Sequence, residues 1–283
     1  MRSTRMMALA AMLACLAAGP AAAWGPEGHS IIAEIAQRRL TPQAAAMVAE
    51  LLGRGHSLAS IASWADDIRD ERPQTYNWHF VDIPLAVPTY DKARDCKADA
   101  QKGDCVVLEL GRVKDDLRCA KGEKRVEALK FAVHFVGDIH QPLHTVLDAL
   151  GGNQIKVDVF MRGLTCTGTC EPTHVPSNFH MAWDIDLIRA TVWDWGHYVD
   201  RLEDGWLKSE EAKKPGIDGG TPAQWANETH AFAPIVWNAR PANNVLGDAY
   251  YRAALPVLDR QLGVAGLRLA RFLNEAAAGR CGE

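Results

Sequence analysis

The chain lacks a surplus of basic residues. Among 283 residues, Lys and Arg number 31 against 35 Asp and Glu, for a formal charge of −4. Losing Arg2 and Arg5 with a leader would bring the charge to about −6. This excludes a protein that coats duplex nucleic acid electrostatically, but not a nucleic-acid enzyme whose cations are metal ions, which the count omits. Beyond the first two dozen residues no apolar run is long enough to cross a bilayer. Internal repeats, low-complexity tracts and a linker-like change of composition are also missing. The length therefore reads as one large domain.

The first segment has the order of a secretory signal. Arg2 and Arg5 form a charged start, residues 6–18 an apolar run too short for a membrane span, and Ala21-Ala22-Ala23 the small residues before a cut. Cleavage there leaves residues 24–283 as the domain, with Trp24 at its new N-terminus and a periplasmic or secreted destination. Lipoprotein processing at Cys15 is the rival, and Met12 fits that pattern poorly. Six cysteines then remain: Cys96, Cys105, Cys119, Cys166, Cys170 and Cys281. An even number in an exported chain suggests disulfides, and six allow fifteen pairings. We expect Cys166–Cys170 across the TCTGTC loop, and take Cys96–Cys281 and Cys105–Cys119 for the rest, which spacing does not force. A zinc ribbon does not fit these spacings.

Periodicity places helices at 30–39, after a turn-rich WGPEGH start, at 42–52 behind a Thr41-Pro42 cap, and at 57–69. WHFVDI at 78–83 reads as extended, and residues 84–105 as a surface loop. Helices follow at 106–120 and 124–141, a strand at 154–161, and a loop to Asn178. Further helices are expected at 179–195, 221–232 and 246–277, with a loop at 208–221. The expected fold is mainly α-helical, a single domain with a little strand.

The segment AVHFVGDIHQPLH, residues 132–144, carries the chemistry. Its apolar residues suit a buried helix, yet His134 and Asp138 lie four apart on one face. Pro142 stops the helix and His144 follows in the exit loop. A buried carboxylate beside a histidine is costly unless something compensates, and a metal ion can; a satisfied core histidine with a structural Asp is the bland alternative. Four other segments offer similar ligands: His29; Asp66 and Asp67; His79 and Asp82; His180 and Asp184. Zinc takes imidazole nitrogen and carboxylate oxygen, and two i,i+4 pairs with three more segments point to more than one zinc. His140 faces elsewhere on the helix, and His56, His174, His197 and His230 default to surface or packing roles. Trp64, Trp78, Trp183, Trp193 and Trp195 read as core, whereas Phe80 directly follows a candidate ligand.

WGPEGH at 24–29, SWADDIR at 63–69, WHFVDI at 78–83, HFVGDIHQPLH at 134–144, GGN at 151–153 and NFHMAWD at 178–184, in that order, resemble the zinc-dependent single-strand-specific nuclease family, the S-one/P-one nucleases. The resemblance implies a single mainly α-helical domain with a short β-hairpin, of the type shared with bacterial zinc phospholipase C, holding three zinc ions. It assigns Asp66, His79, His134 and Asp138 to one zinc. The amine and carbonyl of Trp24, with His29 and a bridging Asp138, hold its neighbour, and His144, His180 and Asp184 hold the third. It further implies hydrolysis of single-stranded DNA and RNA by a zinc-activated water, leaving 5′-phosphates, with 3′-nucleotides as additional substrates, no membrane partner and a monomeric state. Arg69 would neutralise phosphate charge, Phe80 would stack on a base and Asp82 would accept hydrogen bonds from its edge. Asn153 could contact the scissile region, although a turn-forming Asn is the simpler reading. A phospholipase C-type phosphodiesterase is the nearest alternative; Asp184, where those enzymes have Glu, and the Phe80/Asp82 pair argue against it. A non-catalytic zinc-binding or adhesion protein would have to lack a ligand or the phosphate-binding cation, and neither is missing. The loop 162–174 departs from the family by its length.

Overall fold

A computed structural model describes residues 24–161, 173–192 and 194–281. The expected Cys166–Cys170 pair, most of the long loop, Trp193 and the expected leader, residues 1–23, fall outside them. The architecture is the expected one: helices around a single core, with one small sheet.

The first helix, α1 (Pro26–Gln37), begins earlier than its apolar periodicity suggests. Pro26 stands at its first position, where a missing N–H costs nothing and the fixed φ favours the helix. The WGPEGH segment is therefore mostly helical, which puts His29 in the first turn. Helix α2 (Pro42–Leu52) is capped as expected, the Thr41 hydroxyl accepting from the Ala44 N–H at 3.2 Å. Residues 57–69 do not form one helix. They break into a 3-10 turn, Leu58–Ile61, and a short helix α3, Trp64–Asp67. The serines compete with the helical ladder: Ser57 caps the turn and Ser60 donates to the Ser57 carbonyl at 2.7 Å.

Trp78 and His79 end a second 3-10 segment, Pro73–His79, so only Phe80–Ile83 of the expected extended stretch is extended. The surface loop after it includes the short helix α4 (Lys92–Asp95). Helices α5 (Val106–Cys119) and α6 (Glu123–Asp138) then pack side by side. Helix α6 ends three residues before the expected Gln141. That residue instead caps the 3-10 turn Pro142–Thr145, which carries His144.

Strand β1 (Lys156–Met161) pairs antiparallel with β2 (Thr173–Asn178), Lys156 opposite Asn178. The second strand corrects the loop expected there. It tolerates Pro176 because it lies at an edge of a three-stranded sheet in which β1 is central. The continuous helix expected at 179–195 is also interrupted. Helix α7 (Phe179–Met181) passes through a π-helical turn, Ala182–Asp186, into α8 (Leu187–Thr191); α9 (Trp195–Asp204) starts afresh behind the Asp194 cap. Helix α10 (Pro222–His230) has a Thr221–Gln224 capping box. The short α11 (Ala233–Asn238) and β3 (Val245–Leu246), parallel to β1, were not legible in the pattern. Helix α12 (Asp248–Ala278) continues through Pro256 and lies against α1, where Gly266 lets Ile35 seat on its backbone.

Among the described residues the disulfides differ from the expected Cys96–Cys281 and Cys105–Cys119. Cys96 pairs with Cys105 and Cys119 with Cys281. The first closes a local loop; the second ties the end of α5 to the segment after α12. Connectivity depends on which chain ends the fold brings together, and spacing does not carry that.

Candidate metal centre and substrate cleft

Polar side chains that are withdrawn from water converge at the C-terminal end of α6. His134 and Asp138 use their i,i+4 spacing as expected, Nε2 standing 3.2 Å from Oδ2. The 3-10 segment before Phe80 delivers His79, whose Nδ1 lies 3.1 Å from Asp138 Oδ2 and 3.4 Å from Asp66 Oδ1. Asp66 turns to this cluster from α3, while its neighbour Asp67 is exposed. On the other side of Asp138, His29 Nε2 is 3.4 Å from Oδ1. The two oxygens of Asp138 thus face different partners. His144, 3.8 Å from Asp138 Oδ1, leads on to a third group. There the rings of His144 and His180 stack at 4.8 Å, and Asp184 lies 3.7 Å and 3.4 Å from their respective Nε2 atoms.

Three of these imidazoles are oriented by backbone carbonyls. Nδ1 of His134 donates to Ala62, of His144 to His79 and of His180 to Gly151, at 2.7, 2.9 and 2.7 Å. A carbonyl can only accept, so each proton sits on Nδ1 and Nε2 keeps its lone pair for the cluster. Gln141 steadies Asp184 from behind, Nε2 to Oδ1 at 2.6 Å. Gly151 combines a φ of 60° with a close approach: an added Cβ would lie 2.6 Å from the Leu143 carbonyl and 3.0 Å from His180 Nδ1.

Whether these groups suit metal ions can be judged from what they leave unsatisfied. Both ring nitrogens of His29, Nε2 of His79 and His144, Oδ1 of Asp66 and Asp138, and Oδ2 of Asp184 are buried without a hydrogen-bond partner. Each such atom costs about 1–3 kcal/mol unless something coordinates it. The charge balance points the same way. Burial would raise the Asp66 and Asp138 carboxyls, but the neighbouring histidines hold both below their usual range. Burial lowers His29 to about 4. It acts on His134 too, yet Asp138 and Asp66 outweigh it and lift that imidazole to about 10. The cluster therefore draws in positive charge, which a metal ion supplies while leaving the imidazoles neutral. Three sets could hold one: His29, His134 and Asp138; Asp66, His79 and His134; His144, His180 and Asp184. In each, the donor atoms lie within 4.8 Å of one another. Nitrogen and carboxylate donors of this kind suit zinc.

Trp24 lies beside these residues, fully buried. Its indole N–H donates to the Gly137 carbonyl at 3.0 Å, and the next residue's N–H reaches the Asp184 carbonyl at 2.9 Å. Trp24 and Gly25 are thus tied to two of the clusters.

The clusters open onto a cavity of about 490 Å³ whose lining includes His79, His144, His180, Arg69, Phe80 and Asp82. The extended run 80–83 buries Val81 and Ile83 and turns Phe80 and Asp82 to the cavity. Burial, then Asp95, raises the Asp82 carboxyl to about 6. Arg69 is buried, with its guanidinium 4.1 Å from the Tyr76 ring centre and 4.0 Å from Asp66. Asn153 lines the cavity and donates to the Leu150 carbonyl at 2.9 Å, so its turn role is real. Tyr76, Lys102 and Leu150 also line the cavity and were not singled out from sequence. Nothing in the spacing links them to the ligands.

His140 stays out of the clusters, held by the Val136 carbonyl and Arg268. His230 packs inside, bonded to the Thr145 and Val87 carbonyls, while His56, His174 and His197 are exposed. Trp183 is buried, and Trp64, Trp78 and Trp195 pack against the core.

Buried imidazole–carboxylate clusters beneath a cleft with a guanidinium and an aromatic wall define a class, that of metal-dependent hydrolases of phosphate esters. The comparisons make it specific. Residues 24–278 match the S1/P1 Nuclease family. The chain is 31% identical over 281 residues to Nuclease PA3 from Penicillium sp and 30% identical over 282 residues to Nuclease P1 from Penicillium citrinum, covering 89% of this chain and 97% of each relative. It is 30% identical over 277 residues to Endonuclease 2 from Arabidopsis thaliana, with 89% of each chain covered. The chain belongs to the S1/P1 nuclease family, hydrolases of the phosphodiester bonds of nucleic acids that are in general zinc-dependent.

Proposed function

We propose that this chain is a three-zinc endonuclease that hydrolyses single-stranded DNA and RNA to 5′-phosphate products and removes phosphate from 3′-nucleotides. We further propose that residues 1–23 are cleaved on export to the periplasm or medium, and that residues 24–283 act as a monomer. The observation that carries this reading is Asp138, whose two oxygens face separate histidine sets at the foot of the cleft. Asp66, His79, His134 and Asp138 would hold one zinc. Trp24, through its amine and carbonyl, would hold a second with His29 and Asp138, and His144, His180 and Asp184 a third. When bound, the ions supply Lewis acidity and lower the pKa of water in the cleft.

The chain's own groups supply binding and orientation. The Arg69 guanidinium, steadied by Tyr76, neutralises the phosphate and presents a fork of donors to its oxygens. Phe80 stacks on a base, and ionised Asp82 accepts hydrogen bonds from its edge. Stacking tolerates every base, which suits low sequence preference. It also favours single strands, because a paired, stacked base cannot present its face to Phe80 without leaving the duplex. Asn153 shapes the turn at the rim.

The test uses zinc-replete protein beginning at Trp24, incubated with single- and double-stranded DNA, RNA and 3′-nucleotides. Chelator-sensitive cleavage of single strands leaving 5′-phosphates is expected. Inertness on nucleic acid with turnover of a phospholipid would replace this reading with the phospholipase C alternative.

A further inference from the structure

A second cation stands on the same cleft wall as Arg69. Lys102 lines the cavity, and its ammonium lies 5.1 Å from the centre of the Tyr76 ring, the ring that also carries Arg69. Tyr76 meets Phe80 edge-on at 6.2 Å, so these side chains form one continuous surface with the proposed base platform. Lys102 is exposed, yet its backbone is held. The Cys96–Cys105 disulfide closes its loop. The Asn77 N–H donates to the Lys102 carbonyl at 2.8 Å, and the Asn77 side chain to the Gly103 carbonyl at 3.3 Å. Gly103 has a φ of 85°, and an added Cβ there would lie 2.5 Å from the Gln74 carbonyl. Asp99, on the same loop, accepts from the backbone N–H groups of Gln101 and Lys102 at 2.7 and 2.9 Å. The loop is therefore docked on the 73–79 segment with its ammonium over the cleft.

We propose that Lys102 binds a phosphodiester flanking the scissile one, which makes the preferred substrate an oligonucleotide longer than a dinucleotide. The inference rests on the nuclease reading above. Its chemistry is that of charge: a lysine is a compact point charge suited to a phosphate whose orientation need not be fixed, whereas Arg69, with its planar fork, lies nearer the candidate ligand Asp66. Tyr76 positions the ammonium by a cation–π contact and, through the same ring, keeps both cations on one wall.

The experiment compares kcat/KM of the zinc-loaded enzyme on a dinucleotide, with one phosphodiester, and a trinucleotide of the same base, with two. Lys102→Ala should lower the trinucleotide-to-dinucleotide ratio by about fivefold, the upper end for one exposed charge contact, and Lys102→Arg should restore it. Binding of a hydrolysis-resistant single strand should also lose about 0.7 from its log–log salt slope in Lys102→Ala, the value for one phosphate contact. A ratio and slope unchanged by Lys102→Ala would overturn the proposal while leaving the nuclease reading intact. A wild-type enzyme that cleaves neither of these nor long single-stranded DNA and RNA would remove the nuclease reading, and this subsite with it.

Discussion

Gly137 lies one residue before Asp138 in α6, and replacing it with alanine separates helix stability from site integrity. In a helix interior, Gly→Ala ordinarily stabilises by up to about 1 kcal/mol, because alanine loses less backbone freedom on folding. Here a Cβ would stand 2.8 Å from His29 Nδ1, 3.1 Å from its Cε1 and 3.4 Å from Ile32 Cδ1. Ordinary contact begins at 3.4 Å, so the imidazole must retreat by about 0.6 Å. Metal sites hold donor distances to about ±0.2 Å, so this displacement is several times what coordination tolerates. Overpacking a filled core costs about 1–3 kcal/mol, which leaves a net destabilisation between zero and about 3 kcal/mol. Gly137→Ala should therefore stay folded, lose close to one zinc per chain and lose activity by about 10–100-fold, the range for disturbing a ligand's support. Metal analysis of dialysed protein, thermal unfolding and single-strand cleavage read the three effects. A variant with full zinc content and wild-type activity would refute the argument that Gly137 makes room for His29.

Four further outcomes follow from particular contacts. Arg69→Ala should reduce single-strand cleavage by about 10²–10³-fold, as for loss of a transition-state charge partner, and Arg69→Lys should recover only part, since a point charge replaces a fork; steady-state kinetics check both. Asp82, raised to about 6 by burial and then Asp95, is ionised above that pH and neutral below it. Base preference should therefore change through about pH 6 in the wild type and stay flat in Asp82→Asn. Because the raised value means that folding disfavours the ionised form, Asp82→Asn should also be more stable than wild type at pH 8, with the difference gone below pH 4, as denaturant unfolding at the two pH values would show. Loop-closure entropy makes the Cys119–Cys281 disulfide, spanning 162 residues, worth about 5 kcal/mol, and Cys96–Cys105, spanning 9, about 3 kcal/mol; double Cys→Ser variants compared by chemical denaturation should preserve that order. Protein that keeps residues ahead of Trp24 should bind less zinc and cleave poorly, checked by N-terminal sequencing alongside metal content.

What could be read in advance depended on how local each feature is. The His134/Asp138 pair was legible because α6 runs unbroken through it, so four residues apart means one face. The His180/Asp184 pair kept its meaning even though the segment breaks into a π turn, since both residues still face His144. Helix starts were harder. WGPEGH contains two glycines and a proline, yet proline at the first helical position favours the helix that carries His29. The serine-rich stretch before Asp66 has helical apolar spacing, but Ser57 and Ser60 bond to the local backbone and divide it. Features built by distant segments left no local trace. The partners of Cys105 and Cys119, strand β3, and the meeting of Tyr76 with Arg69 and Lys102 all arise from tertiary placement. Arg69 enters the site in sequence only through the SWADDIR motif; its burial under Tyr76 is a product of the fold.

The most direct test of the central claim is a zinc titration of metal-depleted protein beginning at Trp24, with zinc bound per chain and cleavage of single-stranded RNA followed together. The account predicts that three zinc ions bind and that cleavage rises only as the sites fill, with Asp138→Asn failing to bind the close pair and remaining inactive. Full cleavage by the metal-depleted protein, or unchanged zinc content and activity in Asp138→Asn, would contradict it.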